Sequence, residues 1–287
     1  MTAKQIMSKV KPRLAEQSLA VARQRYMKID EKGNPVETPE EMFYRVANFI
    51  AQADTKFNAA VDVEALTEQF YQMLARIEFI PGGRIFFEAG NSNTGQMASC
   101  FVLPVEDSVE EIFQTLKDGA ITQQKNGGTG FNFSKIRPKG DAVKGVPGVA
   151  AGPVHYIRSF DQSFSQILQG SKRHGGNMGV LNIDHPDIEE FIKLKDNGSG
   201  IKNFNISVGV KDSFMEALRN DAPWNLVNPR NGEVTKTVQA RDLFNMITQR
   251  AWECADPGLL FLDAVARANN NAHLYDMVAT NPCGEQP

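Results

Sequence analysis

The segment MGVLNIDHPDIEEFIKLKDNGSGIKNFNISVGV, residues 178–210, decides the fold class. It holds two short apolar runs, Met178–Ile183 and Asn205–Val210, with a helical pattern of apolar and charged residues over Asp187–Lys195 between them. Short apolar runs bounded by turn residues are typical of strands in a buried sheet. The alternation of strand, helix and strand at this spacing favours a parallel α/β sheet or barrel.

The same alternation extends to both sides, from Pro81-Gly82-Gly83 onward. Further strand candidates are Ser99–Val105, Gly130–Phe133 and Leu259–Leu262, and further helix candidates are Ser108–Asp118, Val154–Leu168 and Arg241–Ala255. The first 80 residues instead have helical patterns, such as the capping box Thr38-Pro39-Glu40-Glu41 with proline at the first helical position. We therefore predict a helical N-terminal region over residues 1–80 and an α/β region over 81–287.

Composition excludes several classes of protein. With 287 residues, 41% of them hydrophobic and 23% charged, the chain has an ordinary globular composition, and a net charge of −3 gives no reason to expect a nucleic-acid partner. The N-terminus has no signal-like apolar stretch and no apolar run is long enough to cross a membrane. Three scattered cysteines suit neither a disulfide framework nor a metal site, so we expect a reducing, cytoplasmic location and no metal.

The most reactive-looking segment is Asn281-Pro282-Cys283-Gly284-Glu285. Proline and glycine make it a tight non-helical loop, and a carboxylate lies two residues from the thiol as a base. The alternative is that Cys283 is a small buried apolar residue in a turn. Cys100, at the start of an apolar strand, could equally be core filler, and we interpret Cys254 as structural.

Other segments could contact a phosphate or a nucleotide. Ser108 and Glu111 form a second capping box, and the helix N-terminus that it caps could accept a nucleotide. Asn126–Gly130 brings three glycines just before a strand, so a ligand could approach the backbone closely, although the sequence is no Walker loop. The basic loop Arg137–Lys144 and the polar loop Asp196–Lys202 would suit a ligand, but they would serve equally well as solvated connections.

Taken in order along the chain, these segments and several others resemble the large catalytic subunit of ribonucleotide reductase, and most closely the adenosylcobalamin-dependent class II enzymes. The segments that carry the resemblance are 79–81 (FIP), 99–108 (SCFVLPVEDS), 127–131 (GGTGF), 137–140 (RPKG), 185–192 (HPDIEEFI), 203–208 (NFNISV), 256–258 (DPG) and 281–285 (NPCGE). Any one of them could be chance, whereas the ordered set is specific. Class I enzymes typically have leucine after that asparagine, so Pro282 favours class II.

The resemblance implies roles for individual residues. Cys283 matches the thiyl-radical cysteine that abstracts the 3′-hydrogen of the substrate ribose, and Glu285 matches the base that takes the 3′-hydroxyl proton. Asn281 matches the amide that holds the ribose hydroxyls, and Cys100 matches one of two cysteines that supply reducing equivalents and become a disulfide. The implied substrate contacts are Ser99, Cys100, Gly128, Asn281 and Glu285.

The resemblance also implies an allosteric site for a deoxynucleotide effector. The implied effector residues are Asp107, Ser108, Val109, Arg137, Lys144 and Lys202, and loop Asp196–Lys202 would relay the effector's identity to the substrate base. The other implied partners are a ribonucleotide substrate, adenosylcobalamin as cofactor, a thioredoxin-type reductant and a second copy of the chain in a homodimer.

The family fold is a ten-stranded α/β barrel made of two five-stranded halves. The chain would supply the helical region, the first half-barrel and the start of the finger loop that carries the radical cysteine. Because Gln286-Pro287 follows this loop directly, we expect a truncated or split chain that needs a missing C-terminal half. Two alternatives remain: a class I large subunit that needs a separate radical-generating subunit, and a non-catalytic deoxynucleotide-binding fragment of a split or intein-containing gene.

Overall fold

A computed structural model describes residues 2–91, 95–143, 145, 148–169, 173–196 and 201–287. The chain divides into two compact units, Met1–Ser99 and Cys100–Pro287. The division lies later than residue 80 because another helix follows that point, and its Phe86 belongs to the core of the first unit. No helix among the described residues is long and apolar enough to cross a membrane.

The first unit is helical. Its helices are α1 (Ala3–Lys9), α2 (Glu16–Arg25), α3 (Pro39–Ala53), α4 (Val63–Ala75) and α5 (Gly83–Glu88), with a 3₁₀ turn over Asp54–Lys56. The capping box predicted for α3 is confirmed: Glu41 N donates to Thr38 Oγ1 (3.3 Å) and Thr38 N donates to the Glu41 carboxylate (2.8 Å). Met42 and Val46 are buried in the core of this unit, whereas Phe49 of the same helix is 41% exposed.

The second unit alternates strands and helices. Its strands are β1 (Cys100–Leu103), β2 (Gly128–Asn132), β3 (Leu168–Gln169), β4 (Arg173–His174), β5 (Asn177–Asn182), β6 (Phe204–Val210), β7 (Pro223–Val227), β8 (Val234–Gln239) and β9 (Gly258–Phe261). Its helices are α6 (Val109–Gln124), α7 (Pro153–Phe164), α8 (Ile188–Ile192), α9 (Asp212–Arg219), α10 (Ala240–Cys254) and α11 (Leu262–Ala268).

Five of the described strands form one parallel sheet in the order β1-β2-β5-β6-β9. Each of the five predicted strands overlaps one of them, so the predicted α/β class, preceded by a helical region, is confirmed. Because the order in space follows the order in the sequence, every crossover in the sheet runs in the same direction. Helices α6 and α7 provide the first crossovers, and buried phenylalanines on α7 and on the strands form the core beneath the sheet.

The sequence did not predict the antiparallel hairpin β7–β8. In β8 most side chains are exposed, so the apolar alternation that marks a half-buried strand is missing. The hairpin turn carries Asn228, whose amide donates to the Asp141 carboxylate (3.0 Å), and Arg230, whose guanidinium donates to both oxygens of that carboxylate (2.8 and 2.9 Å). The hairpin is therefore fastened to the loop that follows β2.

Candidate active site

The two faces of the parallel sheet differ sharply in side-chain size. One face, with Phe131, Leu181 and Phe204, packs into the helical core. The ladder register places the following residues together on the opposite face, which we call the open face: Cys100, Val102, Gly128, Gly130, Asn132, Met178, Val180, Asn182, Asn205, Ser207, Gly209, Gly258 and Leu260. Most of these side chains are small or polar, which leaves room for a covering segment.

The covering segment is the terminal segment, Val278–Gly284. Ala279 packs with Met178, Val180 and Leu260, and the consecutive residues Ala279, Thr280, Asn281 and Pro282 are all buried. The reactive-looking loop of the sequence therefore lies on the sheet.

Glycines make this close approach possible. A Cβ atom at Gly130 would lie 1.8 Å from the Thr280 carbonyl oxygen, and one at Gly128 would lie 2.6 Å from Pro282 Cγ. Gly128, expected just before the predicted strand Gly130–Phe133, is instead the first residue of β2, and Gly130 lies in the strand as predicted. The Thr280 carbonyl packs against Gly130 and the Pro282 ring packs against Gly128, so here glycine is required for packing within the chain.

The turn around Cys283 is held by its own hydrogen bonds. Asn281 N donates to Gln286 O (2.9 Å), Gln286 N donates to Asn281 Oδ1 (3.0 Å) and Gly284 N donates to Asn281 O (3.1 Å). Gly284 has a φ of +82°, as the tight loop predicted from its proline and glycine requires. The turn leaves the Cys283 residue exposed at its tip.

Electrostatics show which groups surround the thiol. Partial desolvation, followed by electrostatic interaction with Glu285 and then with Cys100, raises the pKa of the Cys283 thiol above its ordinary value, although the residue remains exposed. The structure therefore brings Cys283, Glu285 and Cys100 close enough to act on one another. Gly128 lies beside Cys100 in the ladder, and Ser99, also exposed, immediately precedes Cys100.

Four of the implied effector residues, Asp107, Ser108, Val109 and Arg137, lie at the carboxyl ends of β1 and β2, opposite the end where Cys100 lies. Arg137 donates from its backbone N (3.0 Å) and from Nε (2.9 Å) to the Asp107 carboxylate, and its Nη1 donates to Ala142 O (3.0 Å). Ser108 caps α6 by accepting from Glu111 N (3.1 Å), so capping alone accounts for it, and the neighbouring Val109 is 64% exposed.

Two further effector residues were predicted, Lys144 and Lys202. Lys144 lies outside the described residues, as does most of loop Asp196–Lys202. Lys202 is exposed, and its backbone N donates to Asp161 Oδ1 on α7 (3.1 Å). Among the described residues, no contact joins Lys202 to Asp107 or Arg137.

Comparison with known proteins places this geometry in a family. The pattern of the ribonucleotide reductase all-alpha domain matches residues 12–94, and that of the ribonucleotide reductase barrel domain matches residues 98–287. The chain belongs to the ribonucleotide reductase family. The family's two domain types correspond closely to the helical unit and the parallel-sheet unit.

Several ribonucleotide reductases are similar to the chain over nearly its whole length. It is 38% identical to the vitamin B12-dependent ribonucleoside-diphosphate reductase of Thermoplasma acidophilum and 39% identical to that of Mycobacterium tuberculosis strain H37Rv, with 96% of the chain covered in each case. Ribonucleoside-diphosphate reductase subunit alpha of Helicobacter pylori strain J99 is 26% identical over 91% of the chain. The chain spans about two-fifths of the length of the two B12-dependent relatives (43% and 39%).

A buried polar cluster beneath the open face was missed in the sequence. Gln123 Nε2 and Thr129 Oγ1 both donate to Asn177 Oδ1 (2.6 Å each), and Asn177 Nδ2 donates to Asn203 O (2.8 Å). Gln123 Oε1 has no hydrogen-bond partner among the described residues. This cluster joins the end of α6 to the first residues of β2 and β5, directly beside Gly128 and Gly176, which support Pro282. The sequence contained a signal for this cluster, because Gln123 and Asn177 place polar side chains on the mostly apolar, buried sides of α6 and β5.

The structure also has a cavity of about 520 Å³ at the carboxyl ends of the strands. Its lining includes the effector candidate Asp107 and three cationic side chains that sequence reasoning did not select, namely Lys135, Lys211 and Arg230. Each cation already has a carboxylate partner: Glu106, Asp184 and Asp141, respectively. The carboxyl ends of parallel strands are the usual ligand-binding edge of such a sheet.

Proposed function

We propose that the chain is the N-terminal part of the catalytic chain of an adenosylcobalamin-dependent ribonucleotide reductase, which converts ribonucleotides into 2′-deoxyribonucleotides for DNA synthesis. One observation supports this most strongly. The Cys283 thiol is presented at the tip of a fastened turn, beside a carboxylate and a second thiol, on the open face of the sheet. The B12-dependent relatives, more similar than the subunit alpha relative, support the choice of class.

The raised pKa of Cys283 fits radical chemistry better than nucleophilic chemistry. A nucleophilic cysteine needs a lowered pKa, because the thiolate is its reactive form. Partial desolvation and the neighbouring Glu285 carboxylate raise the pKa of Cys283 instead and favour the protonated thiol. A protonated thiol can lose a hydrogen atom and later return one, which is what a thiyl mechanism requires.

The chemistry assigns one task to each group. As a thiyl radical, Cys283 takes the 3′-hydrogen atom of the ribose, and Glu285 takes the 3′-hydroxyl proton. The 2′-hydroxyl then leaves as water. Cys100 and a second thiol from outside this chain supply two electrons and two protons and become a disulfide. Cys283 then returns a hydrogen atom to C3′, and Glu285 returns the proton to the 3′-oxygen. Asn281 would hold the ribose hydroxyls with its amide, and Ser99 and Gly128 would lie against the substrate.

The cofactor that fits this site is adenosylcobalamin, which when bound supplies the radical. The described structure fits such a group because the Cys283 residue is exposed at the tip of its turn, so an external group can reach the sulfur. The residues of this chain hold the thiol, its neighbouring base and one reducing thiol in place.

The same proposal covers regulation. Asp107, Ser108, Val109 and Arg137 would bind a deoxynucleotide effector, with Lys144 and Lys202 completing the site and loop Asp196–Lys202 relaying its identity. The active protein would be a cytoplasmic homodimer, re-reduced by a thioredoxin-type protein. Arg137 is already oriented by Asp107 and Ala142, so its guanidinium is restrained before any ligand arrives.

Turnover tests the class. The chain is assayed together with the C-terminal region that its relatives have beyond it, using ribonucleoside di- and triphosphates and a dithiol reductant. The proposal predicts 2′-deoxynucleotide formation that requires adenosylcobalamin. Activity that ignores adenosylcobalamin and requires a metal-containing radical subunit would instead identify a class I large subunit. Effector binding without turnover under either condition would support a non-catalytic module.

A further inference from the structure

Two asparagines of the open face donate hydrogen bonds to the terminal segment, one near each of its ends. Asn132 Nδ2 on β2 donates to Val278 O (2.6 Å), and Asn205 Nδ2 on β6 donates to Pro282 O (2.8 Å). In the ladder, Asn132 lies beside Val180 and Asn205 lies beside Met178, both on β5. The two donors therefore flank the middle strand, over which the terminal segment passes.

These hydrogen bonds matter because the segment lies on a sheet face, where the strands' own backbone groups are already paired. Pro282 is buried, so its carbonyl oxygen needs a donor from a side chain. That carbonyl belongs to the peptide group that also contains the nitrogen of Cys283. Fixing the Pro282 carbonyl therefore fixes the orientation of the backbone that carries the thiol.

We propose that Asn205 and Asn132 are positioning residues that dock the terminal segment on the open face and thereby set the position of Cys283. Their importance for catalysis rests on the proposed function, whereas the docking itself does not. Asn205 is the more informative of the two. The Asn132 side-chain oxygen also accepts a hydrogen bond from Ser134 N (2.9 Å), so the same side chain also holds the backbone just after β2.

Asn205 is suited to a test because the residue is exposed and its side chain reaches out of the sheet. Removing that side chain leaves the helical core intact. Aspartate has nearly the same shape as asparagine but presents only acceptors to the Pro282 carbonyl. A role in packing would therefore tolerate Asn205→Asp, whereas a role as donor would not.

Hydrogen–deuterium exchange of the 287-residue chain, resolved to peptides by mass spectrometry, measures the docking. Losing a net hydrogen bond of ordinary strength corresponds to about fivefold faster exchange in peptides covering 278–287. We expect this for Asn205→Ala and at least as much for Asn205→Asp. Asn225→Ala is the matched control, since Asn225 is also an exposed strand asparagine with a hydrogen-bonded side chain, which accepts from Thr237 Oγ1 (2.7 Å) in the β7–β8 hairpin.

Three results would overturn the proposal: unchanged exchange in both Asn205 variants, an equal effect of Asn225→Ala, or protection lost throughout β5 and β6. The last would show that Asn205 is needed for the sheet itself and not for the terminal segment. In the turnover assay with the C-terminal region present, Asn205→Ala should lower kcat by up to about fivefold. If the Asn205 variants exchange faster but the wild-type protein forms no deoxynucleotide, the docking role of Asn205 is supported and only the proposed function is refuted.

Discussion

Adding a single methyl group at Gly130 should lift the terminal segment off the sheet. In Gly130→Ala the new Cβ would lie 1.8 Å from the Thr280 carbonyl oxygen. Carbon and carbonyl oxygen atoms approach to about 3.3 Å at closest, so the segment or the strand must move by roughly 1.5 Å. Both clashing groups belong to backbone, so no flexible side chain can move aside to relieve the contact.

A displacement of that size breaks the contacts that hold the segment down. The hydrogen bonds from Asn132 to Val278 (2.6 Å) and from Asn205 to Pro282 (2.8 Å) would both exceed hydrogen-bonding distance. At about 1 kcal/mol net for each bond, the docked state loses roughly 2 kcal/mol, which raises the ratio of undocked to docked chain about thirtyfold. The altered flexibility of the unfolded chain, worth less than about 1 kcal/mol, does not offset this loss.

Limited proteolysis measures the undocked population, because cleavage by a protease acts on the transiently open form. We expect the cleavage rate within 278–287 to rise about thirtyfold in Gly130→Ala. The control is Gly179→Ala, also in a strand of the parallel sheet, where the new Cβ would meet Phe204 Cδ1 at an ordinary 3.4 Å. Equal cleavage rates in the wild-type chain and Gly130→Ala would refute the packing argument, as would an equal increase in both variants.

Two further predictions concern charge. Glu285→Gln removes a negative charge beside Cys283, so the thiolate becomes less unfavourable and the pKa of the thiol should fall. The pH midpoint of Cys283 alkylation, read by peptide mass spectrometry, should therefore lie below that of the wild-type chain. An unchanged or higher midpoint would contradict the inferred proximity of Glu285 to Cys283. In the helical unit, Glu37→Gln should lower the free energy of unfolding in urea by about 3 kcal/mol, because it leaves the Arg45 guanidinium, whose side chain is 8% exposed, without its ionic partner at 2.6 Å. The control is Glu190→Gln, which breaks an exposed ion pair with Lys139 and should lower the free energy of unfolding by less than about 1 kcal/mol. Similar losses of stability in Glu37→Gln and Glu190→Gln would show that burial does not set the strength of these ion pairs.

The fold was predictable wherever its signals are local. The Thr38 cap and the apolar runs of β5 and β6 follow from side chains within a few residues of one another, and each element formed close to its predicted bounds. Gly128 was left outside the predicted strand because glycine is a poor strand former, and the reason for its presence, the Pro282 ring, lies at the far end of the chain. Local patterns cannot reveal such a distant partner.

The candidate site was likewise predictable only where its signals are local. The Cys283 turn, with its positive-φ Gly284, was predictable from five consecutive residues. The roles of its neighbours came from the family resemblance and stay proposals. The anchors Asn132 and Asn205 gave no local signal, because each is a polar residue in a strand whose partner lies 146 or 77 residues away.

The central claim is that the Cys283 sulfur carries the radical chemistry. The most direct test is deoxynucleotide formation by Cys283→Ser, assayed with adenosylcobalamin and the C-terminal region of its relatives, alongside a measurement of nucleotide binding. Serine preserves size but its O–H bond is too strong to yield a hydrogen atom to the cofactor's radical. We predict no turnover with binding retained; turnover near the wild-type rate would contradict the account.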